Sequence, residues 1–334
     1  MRIATYNVEW FDNLFDDWGR LIDDDGWSGR RDVTRAAQTQ ALGEVFRRVD
    51  ADAFMVIEAP DTNRRRDGVL ALESFADRFG LRARRALIGF PTQTQQEIAL
   101  LYDPDALSAR HDPGGTKPGT APRFDTAMRI DLDIDGRPDT VVWSKPPLEA
   151  AITPRGGRSF RMIGVHAKSK APHGARSQAE VTRISIENRR KQLAECVWLR
   201  ARVAEHLTAG ESLIVMGDFN DGPGLDEYEK LFQRSGVEIV LGEGNGIPLH
   251  DPHAIARQAG VPERATARFQ KPHSKGHIHA LIDFIMVSPD LRADDPRWRI
   301  WHPFDDPAIR ADPALAQALL TASDHFPVTL DIVR

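Results

Sequence analysis

One cysteine in 334 residues excludes an intrachain disulfide and suits a reducing compartment. That residue, Cys196, falls at helical spacing with Leu193, Leu199, Val203 and Leu207, which reads as core rather than as a reactive thiol. The chain also lacks any run approaching the roughly 18 apolar residues of a membrane span. Met1 to Glu9 are strand-like, with no charged segment leading into an apolar one, so no export signal is expected and the cytoplasm is the expected location. No internal repeat or low-complexity linker divides the sequence, and residues 1–334 are expected to form one domain. No obligate protein partner is implied.

A net charge of −5 excludes a chain that is basic all over, yet the charge is unevenly placed. Between Arg155 and Lys191 ten Lys or Arg stand against two Glu, whereas Asp12, Asp16, Asp17, Asp23, Asp24 and Asp25 crowd an N-terminal loop. The basic stretch reads either as a phosphate-attracting face or as a solvated helix surface.

Hydrophobic periodicity predicts strands over Arg2 to Val8, Ala53 to Ile57, Ile98 to Tyr102, Leu281 to Val287 and Val328 to Val333. Helices are predicted over Val33 to Val49, Leu70 to Phe79, Gln178 to Thr208 and Asp226 to Arg234. Two hairpins are expected. One turns at Asp135-Gly136 between Ala127 to Ile134 and Thr140 to Ser144, the other at Gly156-Gly157 between Leu148 to Thr153 and Ser159 to Ala167. Gly242 to Gly276 reads as loop with a little helix, and Trp298 to Pro313 as irregular. Hairpins among alternating strands and helices point to a layered α/β protein with mixed sheets.

Polar residues recur where these strands stop. Leu213 to Asp221 runs LIVMGDFND, a short buried strand that breaks at Gly217 and delivers Asp218 and Asn220 two positions apart. Strand alternation would put both on one side; an Asx turn closing a core strand is the competing reading. Asn7 and Glu9 follow the first strand, Glu58 ends FMVIE, and His166 ends MIGVH just before Lys168, Ser169 and Lys170. Asp283 lies inside the apolar run LIDFIMV, where a buried carboxylate needs a partner. Asp324 and His325 lead into the last strand.

In this order, the segments TYNVEW, VIEAP, QEIALLY, GVHAKSK, GDFND, LIDFIMVS and SDHFPV resemble the endonuclease/exonuclease/phosphatase superfamily of DNase I-like enzymes, from Asn7 to His325. The resemblance implies a four-layer α/β sandwich, two mixed β-sheets packed face to face with helices outside and the site at one edge. It also implies phosphodiester hydrolysis assisted by Mg²⁺ or Mn²⁺, hard cations that favour oxygen donors. Glu58 would be the principal metal ligand, with Asn7 and Asp324 nearby. His325 would touch the scissile phosphate while Asp283 accepts its ring proton. Asp218 would activate the water, with His325 the alternative base, and Asn220 would donate to a phosphate oxygen. His166 would donate to another oxygen or to the leaving group, steadied by Glu97, and Lys168, Ser169 and Lys170 would contact substrate. Glu9, Trp10, Lys168 and Lys170 are second-rank candidates. The histidines His250, His253, His273, His277 and His279 offer no third ligand at obvious spacing for a zinc site and are expected to line a substrate wall or lie in solvent.

The resemblance fixes the reaction class better than the substrate. Nucleic acid is the favoured reading, because Lys168, Lys170, Arg176 and Arg183 are suited to tracking a phosphate backbone. A small-molecule or lipid-derived phosphodiesterase or phosphomonoesterase is the runner-up. A catalytically dead binding module would be expected to lack Glu58, Asp218 or His325, and all three are present.

Overall fold

The computed structural model describes residues 1–92, 94–131, 138–223, 235–242, 244, 246–256, 264–271 and 276–332. Fifteen strands and eight helices are assigned among them. One six-stranded sheet runs in the order β14 (Arg297–Ile300), β15 (Val328–Asp331), β1 (Arg2–Asn7), β2 (Ala53–Ala59), β4 (Glu97–Tyr102), β3 (Arg85–Ile88). A five-stranded sheet runs β13 (Asp283–Val287), β10 (Leu213–Asp218), β9 (Phe160–His166), β8 (Leu148–Pro154), β5 (Leu107–His111). Each sheet has one parallel pair, β1 with β2 and β9 with β10, among antiparallel neighbours. Two small hairpins complete the strands, β6 (Met128–Ile130) with β7 (Asp139–Val141) and β11 (Ala267–Gln270) with β12 (His277–Ala280).

Alternation along the strands builds the layers. Met55, Ile57 and Leu100 of the larger sheet meet Leu148, Met162, Ile214, Met216 and Ile285 of the smaller in one buried interior. The residues between them face outward. Phe54 and Val56 pack against α1 (Arg35–Val49), α2 (Gly68–Arg78) and α8 (Pro313–Ala322). Ile163 and Val215 pack against α3 (Gln178–Thr208) and α4 (Gly236–Leu241). Helix, sheet, sheet and helix layers result, as the resemblance implies. Gly164 brings the sheets close: a Cβ there would lie 2.3 Å from Met55 Sδ. Each long helix starts on a residue suited to its free N–H groups, Thr34 for α1, Asp67 for α2 and Ser177 for α3.

The expected helix over Gln178 to Thr208 and the hairpin at Gly156-Gly157 form as predicted, the latter pairing Leu148 with Gly164 and Ile152 with Phe160. The turn at Asp135-Gly136, the helix from Asp226 to Arg234, and His273 lie outside the described residues. Two expectations are corrected. Gly242 to Gly276, expected as loop with a little helix, also holds strand β11. Trp298 to Pro313 is not irregular throughout, since it contains most of edge strand β14, α7 (Pro307–Arg310) and the start of α8. Asp306 and Asp312 cap the two helices, each with proline in the first turn, a local signal that arginine-rich flanks and the brevity of α7 obscure. Short helices α5 (Pro252–Ala256) and α6 (Pro289–Arg292) flank the strand β13.

Candidate active site

The mixed sheets bring the C-terminal ends of β1, β2, β9 and β10 to the same edge as the N-terminal ends of the antiparallel strands β13 and β15. Asn7, Glu58, His166, Asp218, Asp283, Asp324 and His325 therefore converge although they span the whole sequence. Register fixes the floor of the site. His166, Asp218 and Asp283 occupy directly paired positions across β9, β10 and β13.

Two backbone features aim the side chains. A bulge between Ile57 and Ala59 leaves Glu58 outside the ladder at a φ of 64°, with Oε2 accepting from Trp10 N at 2.9 Å. Gly217 has a φ of 138°, and a Cβ there would come within 2.0 Å of Val165 O, so only glycine allows β10 to deliver Asp218 at this point. Asn220 then adopts a left-handed φ of 49° and its N–H donates to Asp218 Oδ1 at 2.7 Å. The segment is thus an Asx turn and part of the site at once. Asn220 Nδ2 donates to Ala167 O at 3.1 Å and to Asp218 Oδ2 at 3.3 Å.

Asp218 is buried beneath the cleft, where Asn7 Nδ2 donates to its Oδ2 at 3.0 Å. His166 Nε2 lies 3.7 Å and His325 Nε2 3.9 Å from the same oxygen. Burial pushes the Asp218 carboxyl up to about 7; His325 opposes the shift and Asp283 adds to it. For His325, burial disfavours charge, but Asp283 Oδ2 at 2.8 Å from Nδ1, with Asp218 and Asp324 nearby, holds the imidazole well above its usual pKa. Burial pushes Asp324 up to about 7 against the pull of His325. Its backbone N–H donates to Glu9 Oε2 at 2.9 Å, the oxygen that also pairs with Arg30. Asp218, Asp283 and His325 form the one group among the described residues whose His, Cys, Asp or Glu ligand atoms are close enough to share a metal ion.

His166 behaves in the opposite way. Burial first, then Lys145 and His325, hold its imidazole well below its usual pKa, so it is neutral. Its partner is Lys145, whose Nζ lies 3.1 Å from Nε2. Lys145 is a site residue the sequence reading missed. It precedes Pro146-Pro147 outside any strand, and extending the hairpin register beyond Leu148 and Gly164 sets Pro146 opposite His166 and Lys145 one position further, opposite Ala167. Glu97, expected to steady His166, instead accepts from Thr92 N at 2.9 Å, and no hydrogen bond or ion pair joins it to His166. The bulge on β2 sets Glu97 opposite Ala59, and burial pushes its carboxyl up to about 7.

The loop after His166 separates the three expected substrate contacts. Lys168 lines the cleft with no carboxylate partner among the described residues, whereas Lys170 pairs with buried Asp221. Ser169 Oγ accepts from Ala171 N at 3.3 Å. From α3, Glu195 Oε2 accepts from Lys168 N at 2.8 Å. Gln192 Nε2 reaches Lys168 O, Phe219 O and Asn220 O at 2.9, 3.1 and 3.0 Å, binding the two loops that carry His166 and Asp218. These helix residues carry no surface pattern and were not singled out from the sequence. Above the floor opens a cleft of about 1870 Å³, whose lining includes Trp10, Arg268, His279, His302 and Phe304. His253 and His279 line it, His277 contacts Arg268, and His250 is tied by its backbone to Val287.

The model of the Endonuclease/Exonuclease/phosphatase family matches residues 4–325, which covers every residue of this site. The chain belongs to the endonuclease/exonuclease/phosphatase family. Members of this family are phosphoester hydrolases. Solved structures share the family fold at low identity. Truncated TDP2 from Caenorhabditis elegans is 13% identical with a TM-score of 0.52, covering 100% of this chain and 97% of that one. A mannosyl-6-phosphatase from Bacteroides thetaiotaomicron is 14% identical with a TM-score of 0.51, covering 100% of both chains. A 3′ phosphatase, NExo, from Neisseria, bound to a product DNA hairpin, is 16% identical with a TM-score of 0.51, again covering 100% of both. No curated protein matches the chain. Among the described residues, no helix is long and apolar enough to cross a membrane.

Proposed function

We propose that the protein hydrolyses phosphodiester bonds with a divalent cation, Mg²⁺ or Mn²⁺, and that its substrate is nucleic acid. The observation that carries this reading is the gathering of Asp218, Asp283 and His325 with Lys145 and His166 at the floor of one cleft. The donor set fits a hard cation. Glu58, Asn7 and Asp324 all line the cleft and offer oxygen donors to it, the kind of donor a hard cation prefers. Glu58, with Asn7 and Asp324 beside it, would hold the ion, which would neutralise the nonbridging oxygens of the phosphate.

The chain's own groups divide the remaining work. Asp218 takes the proton of the attacking water: its carboxyl is matched to neutral pH, whereas His325 is held charged and is a poor base. His325 instead donates to a phosphate oxygen, its ring fixed by Asp283. Lys145 supplies a second positive group, presented by neutral His166. Asn220 keeps Asp218 in place rather than reaching the phosphate, since its amide already serves Ala167 and Asp218. Lys168 and Ser169 face substrate while Lys170, tied to Asp221, braces their loop. The family relatives include a 3′ phosphatase bound to DNA, which is in keeping with a nucleic-acid substrate. A single buried cysteine agrees with a cytoplasmic setting.

Plasmid DNA, RNA, an abasic oligonucleotide, a mannose 6-phosphate ester and bis-p-nitrophenyl phosphate, each incubated with Mg²⁺ or Mn²⁺ and with EDTA, test the reading. Metal-dependent cleavage of DNA or RNA is expected. Activity confined to the two small substrates would sink the nucleic-acid assignment and favour a small-molecule phosphodiesterase or phosphomonoesterase.

A further inference from the structure

The arginines of this protein are mostly neutralised by carboxylates: Arg2 by Asp331, Arg35 by Asp24, Arg66 by Asp61, Arg161 by Asp112 and Arg299 by Asp306. Arg268 is not. It lines the cleft, and its guanidinium lies 5.3 Å from the centre of the Phe304 ring and 3.0 Å from His277 Nδ1. Neither partner carries a negative charge to offset it, and no carboxylate lies within ion-pair distance among the described residues. Asp305, an acid of the same cleft, pairs with His302 at 3.1 Å.

The backbone holds Arg268 close to the reaction floor. Its N–H donates to Asp324 O at 2.7 Å, the preceding Ala267 forms a β-bridge with His325, and the ring of the following Phe269 packs edge-on against His325. A guanidinium that is half-buried, oriented by an aromatic face and left without an anion is preorganised for one, because its fork geometry matches two phosphate oxygens. The cleft has the room. At about 1870 Å³ it exceeds the roughly 300–1,000 Å³ usual for a small-molecule site.

We infer that Arg268, stacked on Phe304, forms a second phosphate subsite, so that the preferred substrate carries another phosphate beside the scissile one. This rests on the reading of the cleft as a phosphoester hydrolase site. Two sources share that chemistry, successive phosphates of a nucleic-acid strand and a polyphosphorylated polyol headgroup.

Calorimetry in EDTA, where no hydrolysis competes, separates the subsite from catalysis. Thymidine 3′,5′-bisphosphate is compared with thymidine 5′-monophosphate, and inositol 1,4-bisphosphate with inositol 1-phosphate, on the wild type, Arg268→Ala and Arg268→Lys. Expected is a preference of about tenfold or more for one bisphosphate over its monophosphate. In Arg268→Ala it should shrink to within about twofold with the monophosphate affinity nearly unchanged; Arg268→Lys should retain part of it. The pair that shows the preference identifies the source. No preference for either bisphosphate, an unchanged preference in Arg268→Ala, or an equal loss for mono- and bisphosphate would overturn the inference. Failure of the hydrolase reading appears separately, as absence of turnover with metal while the binding ratio persists.

Discussion

Two buried ionic clusters on the smaller sheet differ in how their charges are arranged. Away from the cleft, Arg202 of α3 pairs with Glu149 at 3.2 Å and Glu205 at 2.6 Å and donates to Ala121 O and Pro122 O. His206 stands between Glu149 and Glu211. Arg202 thus meets two carboxylates, and each of these carboxylates has a partner there. At the cleft, Asp218 and Asp283 instead face each other across β10 and β13, and Lys145 abuts His166 rather than a carboxylate. The first arrangement neutralises itself and reads as structure; the second is incomplete until an anion and a counter-charge arrive, which is what a hydrolytic site requires.

The contrast breaks most visibly at Arg202. Arg202→Met strands Glu149 in the interior and should cost about 3–5 kcal/mol of unfolding free energy. Urea denaturation reads the loss, and kcat per folded molecule should stay within about twofold. At the cleft, Lys145→Met should act the other way round. Steady-state kinetics should show kcat down by on the order of 100-fold, about 3 kcal/mol of barrier, with the melting temperature unchanged or higher because a half-buried, partly desolvated cation has gone.

pH sharpens the comparison. Asp218 keeps its proton in the folded protein up to about 7, whereas the unfolded chain releases it near the ordinary aspartate value. The proton-linked stability is therefore full at low pH and lost as pH rises through that window. Relative to Asp218→Asn, the wild type in EDTA should lose melting temperature between pH 4 and pH 7.5 by on the order of a few °C. A gap that does not change with pH would contradict the burial argument. The smallest effect belongs to Gln192, which touches no substrate. Gln192→Leu releases the Lys168 and Asn220 loops and should lower kcat about tenfold with KM nearly unchanged, equivalent to about 1.4 kcal/mol.

What could be read from the sequence follows the same physics. Buried central strands announce themselves by apolar runs, and the polar residues that end them, Glu58, His166 and Asp218, stand out against those runs. The unpredicted strands of the two large sheets, β3, β5 and β14, are all edge strands. Their sequences, RALI, LSARH and RWRI, carry the arginines that protect an edge and erase the apolar signal. Helix α8 was hidden by its position after a segment read as irregular, although it places Ser323, Asp324 and His325. Within the site, residues at strand ends were legible because local pattern marks them. Lys145, Glu195 and Gln192 were not, since their positions depend on hairpin register and on which face α3 turns inward. Glu97 was misplaced because a one-residue bulge opposite it cannot be seen in sequence.

The claim that Asp218 drives phosphoester hydrolysis has one direct test. The rate of p-nitrophenolate release from bis-p-nitrophenyl phosphate in Mn²⁺ is measured for the wild type and Asp218→Asn, both verified as folded. The account predicts metal-dependent turnover that falls by on the order of a thousandfold or more in the variant, about 4 kcal/mol of barrier. Comparable rates for the two proteins would contradict it.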